Sequence, residues 1–337
     1  MSNTARPIDN LAYNENPHGM SDGAKQAVIN LLDTNKSSRY PNEASLTKKL
    51  AKLHSVGEAN VVLGNGSNQI LNTIAQVFLS AGQEAVSSQY SFLVYRKSTE
   101  LAGAEYIEIP ANNFGYDLTA IEKAVTNRTR LIWIANPNNP TGTYINHDDL
   151  KAFIGRLPKN IVIVLDEAYQ EFLNHNNRSI VSHWLEESPQ VIVVRTFSKA
   201  YGMAGLRVGY AFASTEVVKR LKAGSLPYTV NAMGLVAAEA ALDDVDFINM
   251  TYESNSNGMK QITGGLSKLG IKFLPSCGNF VTFKISDTQR VLDQLKQRGV
   301  LVRSLDQYDL PGYLRVTVGL KAENDHFLAS LSEIISS

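Results

Sequence analysis

The stretch VIVVRTFSKAYGMAGLRVGY, Val191–Tyr210, decides the reading of this chain. Val191–Val194 form an unbroken apolar run of the kind found in strands buried on both faces of a parallel sheet. Lys199 stands at the mouth of that strand, and a glycine-dotted segment carries the chain on to Arg207. Removing an ammonium from water costs several kcal/mol unless the group is paired or neutralised. A lysine placed at the end of a core strand therefore points to a use for a neutral amine, although an isolated lysine there reads first as a solvated loop residue.

Outward from this stretch the same texture recurs. VVL (61–63), EAVSS (84–88), AEYIEI (104–109), TRLIWIA (129–135), NIVIVLDEA (160–168), QVIVVRT (190–196) and LRVGYAFA (206–213) read as strands, with helical stretches over 68–82, 91–102 and 118–125. Strands alternating with helices predict an α/β fold with a mostly parallel seven-stranded sheet covered on both sides. From about Val230 the pattern changes. Helical stretches at 232–243 and 245–269 lead into IKFLP, NFVTFKI, a helix at 287–299, VLVRS, YLRVTVG and a last helix. The expected organisation is an N-terminal arm over 1–20, a large domain over 21–230 and a smaller α+β C-terminal domain over 231–337. No repeat, low-complexity tract or flexible linker separates the domains, so they are expected to pack tightly.

Composition narrows the function classes. The chain has 337 residues, and its 32 Lys plus Arg balance 32 Asp plus Glu. A formal net charge of zero argues against a nucleic-acid partner. One cysteine, Cys277, permits no intrachain disulfide and fits a reducing compartment. The N-terminus MSNTARPIDNLAYNENP lacks the apolar core of a secretion signal, and no apolar run is long enough for a membrane span. A cytoplasmic protein with no membrane partner and no metal site is expected.

In sheets of this kind ligands bind beyond the carboxyl ends of the strands. Four loops there are unusual. GNGSNQ (64–69) opens a helix and offers free backbone N–H groups to a phosphate, yet alone it reads as a helix cap. NPNNPTG (136–142) is dense in Asn and Pro, and alone it reads as a stiff turn. DEAYQEF places Asp166 at a strand end with Tyr169 close behind; alone, Asp166 reads equally as a cap. The fourth is the loop of Lys199 and Arg207. Together they supply a phosphate cup, an amide, an Asp–Tyr pair and an amine with an arginine. Pyridoxal 5′-phosphate needs these parts: an amine for its aldehyde, a carboxylate for its ring nitrogen, donors for its phenolic oxygen, and a helix N-terminus with an arginine for its phosphate.

SKAYGMAGLRVGY, NPNNPTG, LDEAY, LGNGSNQI, RYPN and YLRVTVG resemble the fold-type I pyridoxal-phosphate-dependent aminotransferases of class I/II, and most of all the histidinol-phosphate aminotransferase subgroup. The resemblance runs in order from NENPHG to LRVTVG, over nearly the whole chain. It implies a transaminase that works with an amino donor and a 2-oxo acid acceptor in two half-reactions. Lys199 would hold the cofactor covalently and later carry the proton as general base and acid. Asp166 would pair with the ring nitrogen, and Asn139 and Tyr169 with the phenolic oxygen. Tyr90 would stack on the ring. Gly66, Ser67, Asn68, Ser198 and Arg207, with Thr196 as a further candidate, would hold the phosphate. Tyr40 would reach the phosphate of the neighbouring subunit, which implies a homodimer. Arg315 would grip the substrate carboxylate, Arg303 the substrate phosphate, and Asn16 would either lie near the substrate or only fix the arm.

The chain departs from the subgroup on the substrate side. It begins close to NENP, Tyr13 stands where a small residue is common, and Ser225 and Thr229 replace an Arg and an Asn in GSLPYTVN. The resemblance therefore implies histidinol phosphate and 2-oxoglutarate, in histidine biosynthesis. It also leaves open an aromatic or other amino-acid aminotransferase, or a lyase like threonine-phosphate decarboxylase on the same fold. A non-catalytic effector-binding module is the remaining alternative, for which the chain carries no DNA-binding segment.

Overall fold

The computed structural model describes residues 8–336. Its strands, in chain order, are β1 (Asp9–Asn10), β2 (Val61–Gly64), β3 (Glu84–Ser88), β4 (Glu105–Ile109), β5 (Thr129–Ala135), β6 (Val162–Asp166), β7 (Val191–Thr196), β8 (Gly209–Phe212), β9 (Phe280–Lys284), β10 (Val300–Leu301), β11 (Arg303–Ser304) and β12 (Tyr313–Thr317). Seven of them build a central sheet in the order β2-β8-β7-β6-β5-β3-β4. β3 to β7 pair in parallel, whereas β8 runs antiparallel to both β2 and β7. The fold is α/β, as the alternation of runs implies.

The unbroken apolar runs have a simple cause. Ile132, Ile134, Ile163, Leu165, Val191 and Val193 pack into one core, while Leu131, Trp133, Val162, Val164, Ile192 and Val194 pack into another on the opposite face. Successive strand residues point to opposite faces, so a strand covered on both sides needs apolar residues at every position. Each such side chain contributes about 2 kcal/mol of burial. In β6 and β7 the apolar run gives way to polar residues only at the carboxyl ends, at Asp166 and at Arg195 with Thr196.

The small domain has the antiparallel order β11-β12-β9. Its core joins Val281, Phe283, Leu314 and Val316 to Ile262 of the helix Val245–Lys268 and to Phe327 of the helix Lys321–Ser336. Packing moves the expected boundary between the two domains. The helix Ala232–Ala241 buries Leu235, Ala238 and Ala241 in the large-domain core, so the division falls after it rather than at 231. In the expected arm, residues 1–7 lie outside the described residues. Asp9 and Asn10 pair in parallel with Val300 and Leu301, and Leu11 is buried in the small-domain core. Further along the arm, Gly202 approaches so closely that a Cβ there would lie 1.7 Å from the Gly19 carbonyl oxygen. The segment after β1 is thus hung on one domain and pressed against the Lys199 loop of the other. No helix among the described residues is long and apolar enough to cross a membrane.

Candidate active site

β5, β6 and β7 end on one cavity, together with the amino end of the helix Ser67–Phe78. The large domain supplies Asn139, Asp166, Tyr169, Thr196, Ser198, Lys199 and Arg207 to its wall. The small domain supplies Arg303, Tyr308 and Arg315, and the segment after β1 supplies Tyr13 and Asn14.

Asp166 ends β6 and is buried. Its Oδ2 accepts a 2.8 Å hydrogen bond from the hydroxyl of Tyr95, whereas its Oδ1 has no partner. Burial raises the carboxyl from 3.8 to about 6, against the opposing hydrogen bond from Tyr95. A buried carboxylate with one oxygen held and the other orphaned suits a ligand that brings a positive N–H.

Lys199 donates a 2.8 Å hydrogen bond from Nζ to the carbonyl of Tyr13. Burial, helped by the nearby cation of Arg315, lowers its amine from 10.5 to about 8. The sequence argument about a neutral amine has its physical basis here.

Next to it lies an anion cradle. The helix Ser67–Phe78 begins at Gly66 with no side-chain cap, so its first amides remain open to a ligand. Gly66 has φ +76, and a Cβ there would come 2.1 Å from Nη2 of Arg207. Only glycine lets the guanidinium lie against this turn. Arg207 also donates to Ser198 Oγ at 3.3 Å, and Thr196 Oγ1 accepts from the Ser198 amide at 3.1 Å.

The NPNNPTG turn divides its labour. Asn136 holds Ile145, its side chain accepting from that residue's amide and donating to its carbonyl, both at 2.8 Å. Asn138 donates to Thr141 Oγ1 and to the Tyr90 carbonyl. Of the three asparagines only Asn139 lines the cavity, beside Pro137, and its Oδ1 accepts from Arg315. Arg315 also donates to the Ala12 carbonyl at 2.9 Å, while its Nε has no partner. Burial lowers the pKa of its guanidinium. Arg303 stands opposite Arg315 in the β11–β12 register.

These residues fit pyridoxal 5′-phosphate. The orphaned Asp166 oxygen suits the ring nitrogen, the Gly66–Arg207 cradle the phosphate, and Lys199 the aldehyde. Residues 6–331 match the family of class I and II aminotransferases. The chain belongs to that family. It is 45% identical over 328 residues to histidinol-phosphate aminotransferase 1 of Dechloromonas aromatica, covering 97% of this chain and 90% of the relative. It is 44% identical over 333 residues to histidinol-phosphate aminotransferase 1 of Thiobacillus denitrificans, covering 98% and 86%. Among solved structures, the histidinol-phosphate aminotransferase of Sinorhizobium meliloti in complex with pyridoxal-5′-phosphate superposes with a TM-score of 0.90. That match has 26% identity and covers 98% of this chain and 91% of that one.

The aminotransferase departs from its sequence expectations at several positions. Tyr90 does not line the cavity. Its backbone is left-handed at φ 57, its carbonyl is held by Asn138, and its ring stacks on Phe114 with centroids 6.0 Å apart. Phe92 and Tyr95 are the aromatic residues of that segment on the cavity wall. Asn16 also lies outside the cavity and takes the second of its two expected roles: its Nδ2 donates to the Ala200 carbonyl at 2.7 Å and to Thr251 Oγ1 at 3.2 Å, so it pins the arm. Asn14 occupies the cavity wall instead. Tyr40, expected to serve the neighbouring subunit rather than its own, is no such departure: it is 79% exposed, stacks on Tyr228 and lies outside the cavity of its own chain. Ser225 and Thr229 line a surface groove beside Tyr228, not this cavity.

Phe92, Tyr95, Asn14 and Tyr308 were missed. Tyr95 and Phe92 belong to the segment after β3, where a core aromatic and a site aromatic look alike in sequence. Tyr308 sits in a single 3-10 turn after β11 that no periodicity announces.

Proposed function

We propose that this aminotransferase exchanges an amino group between histidinol phosphate and 2-oxoglutarate, with pyridoxal 5′-phosphate held at Lys199. The observation that carries the reading is the placement of two arginines, Arg303 and Arg315, side by side on the small-domain wall facing Lys199 and Asp166. An ordinary amino acid needs one cation for its carboxylate. Histidinol phosphate brings a phosphate, and glutamate brings two carboxylates, so the same pair serves both half-reactions. The names of the relatives at 44–45% identity support it.

When bound, pyridoxal phosphate supplies an aldehyde that joins amines and a protonated ring that draws electron density from the carbon bearing the amine. The chain does the rest. The Asp166 carboxylate keeps a proton at the ring nitrogen, and Tyr95 keeps that carboxylate in place. Lys199, with a pKa of about 8, has a substantial free-amine fraction near neutral pH and takes up or returns the proton at the substrate carbon. Asn139 and Tyr169 bond the phenolic oxygen. Ser67, Asn68, Ser198 and Arg207 hold the phosphate, and Thr196 supports Ser198.

The proposed assembly is a homodimer. Tyr40, Leu226 and Tyr228 are 79%, 77% and 59% exposed, an apolar surface that a second subunit would cover while Tyr40 enters its phosphate site. The test of the function mixes the lysine-bound cofactor form with one candidate donor at a time. Rapid loss of its absorbance with histidinol phosphate, with the matching ketone as product, is the expected result. Faster reaction with an aromatic amino acid, or release of carbon dioxide, would overturn it.

A further inference from the structure

Asn14 lies at the junction of three parts of the molecule, and its side chain is almost completely buried. Its amide donates to Thr317 Oγ1 at 2.9 Å, and its carbonyl accepts from Asn279 Nδ2 at 3.1 Å, both in the small domain. Its side-chain Nδ2 crosses to the large domain and donates to the hydroxyl oxygen of Tyr169 at 2.9 Å. Its Oδ1 faces the Thr317 hydroxyl at 3.4 Å. The amide orientation is therefore determined: the oxygen meets a hydroxyl donor and the nitrogen meets Tyr169.

This arrangement has a consequence for Tyr169. A phenol has one hydrogen to give and accepts through its oxygen. The bond from Asn14 occupies the accepting side, and the Tyr169 hydroxyl donates to no partner among the described residues. The hydrogen is left for the cavity that Tyr169 lines.

We propose that Asn14 is a positioning residue that turns the Tyr169 hydroxyl hydrogen toward the phenolic oxygen of the cofactor, and that the small domain holds it there. The inference rests on the reading above that Tyr169 faces that oxygen. Asparagine suits the position twice. Its backbone is left-handed at φ 56, a conformation that Asn, Asp and Gly tolerate better than other residues, and its amide supplies the donor. Because Asn14 hangs from Thr317 and Asn279, the donor reaches Tyr169 only when the small domain sits as it does here.

The test uses the holoenzyme and reads the pH midpoint of the absorbance change of the lysine-bound cofactor. A donor to the phenolic oxygen stabilises its anion and lowers the proton affinity of the neighbouring cofactor–lysine linkage, so losing it raises the midpoint. Tyr169→Phe removes the donor. Asn14→Gly removes the orienting amide and keeps the left-handed backbone. Asn14→Asp keeps the shape but offers an acceptor that pulls the hydrogen away. Each is expected to raise the midpoint by about one pH unit, the equivalent of one hydrogen bond. In a Tyr169→Phe background, Asn14→Gly should add nothing, and Asn14→Asp only the smaller effect of its charge. Equal Asn14 effects in both backgrounds, or an unmoved midpoint in cofactor-retaining Asn14→Gly, would overturn the assignment. An unmoved midpoint in Tyr169→Phe alone would instead remove the underlying reading of Tyr169, and the proposal with it.

Discussion

Tyr95 donates to one oxygen of Asp166 and leaves the other without a partner, buried at the end of β6. A carboxylate in that position is costly to the protein by itself and useful once a cation arrives.

This makes a prediction about pH and stability. The folded pKa of Asp166 is raised, from 3.8 to about 6. The native state then binds the proton more tightly than the unfolded chain, so the contribution is favourable at low pH and is lost as pH rises through that window. At neutral pH the cofactor-free protein carries a cost on the order of 2 to 3 kcal/mol. Asp166→Asn should therefore unfold at a higher temperature than wild type when both lack cofactor at pH 7, with the gap closing near pH 4. Addition of pyridoxal phosphate should reverse the order. Thermal unfolding of both proteins with and without cofactor decides it, and a variant less stable at pH 7 without cofactor would show that the carboxylate is satisfied some other way.

Lys199 gives a second prediction. Its amine is held near 8, first by burial and then by the cation of Arg315. Only the free amine attacks an aldehyde, so the rate of cofactor attachment should climb with pH and level off above about 8. Arg315→Met removes one of the two causes and should move the midpoint upward, toward the ordinary lysine value. Borohydride reduction followed by peptide mapping should place the cofactor on Lys199. A midpoint near 10 in the wild type, or label on another lysine, would refute the assignment.

How much of this was legible beforehand follows from the chemistry of each position. The central strands were readable because burial on both faces demands apolar residues without a break, as in Val191–Val194. Asp166, Lys199 and Arg207 were readable because charged residues at the ends of such strands need a reason. The placement of aromatic and amide side chains was not. Tyr90 and Phe92, or Asn14 and Asn16, are close neighbours of the same type; Phe92 and Asn14 line the cavity, and the left-handed backbone at Tyr90 and Asn14 is not announced by the sequence. The pairing of β1 with β10 joins two-residue strands from opposite ends of the chain, too short for any periodicity.

The cradle around Gly66 yields a third prediction. Gly66→Ala would bring a methyl carbon to 2.1 Å from Arg207 Nη2, at a φ of +76 that alanine adopts poorly. The guanidinium would have to leave the turn. Cofactor affinity should fall about tenfold or more, equivalent to roughly 1.4 kcal/mol, while the overall fold persists. Equilibrium dialysis of pyridoxal phosphate measures this directly, and unchanged retention would mean that Arg207 does not hold the phosphate.

The last prediction separates the two arginines. Arg303 and Arg315 are register partners on antiparallel strands, so both side chains leave the sheet on the same side. Arg315 is buried and already bonded to Asn139 and the Ala12 carbonyl. Arg303 is half-buried, rests 5.9 Å from the centre of the Tyr13 ring, and forms no ion pair among the described residues. It is the cation with charge to spare at the cavity mouth. Arg303→Met should therefore remove most of the preference for histidinol phosphate over unphosphorylated histidinol, about 2 kcal/mol or more in kcat/KM. In the donor half-reaction read alone, the variant should still take the amino group from the unphosphorylated substrate at close to the wild-type rate, whereas its half-reaction with 2-oxoglutarate, which uses the same arginine pair, should slow. Arg315→Met should instead impair both substrates, since it also disturbs Asn139 and Lys199. If Arg303→Met lowers kcat/KM equally for the two substrates, Arg303 serves the cavity wall rather than the phosphate, and the substrate is recognised elsewhere.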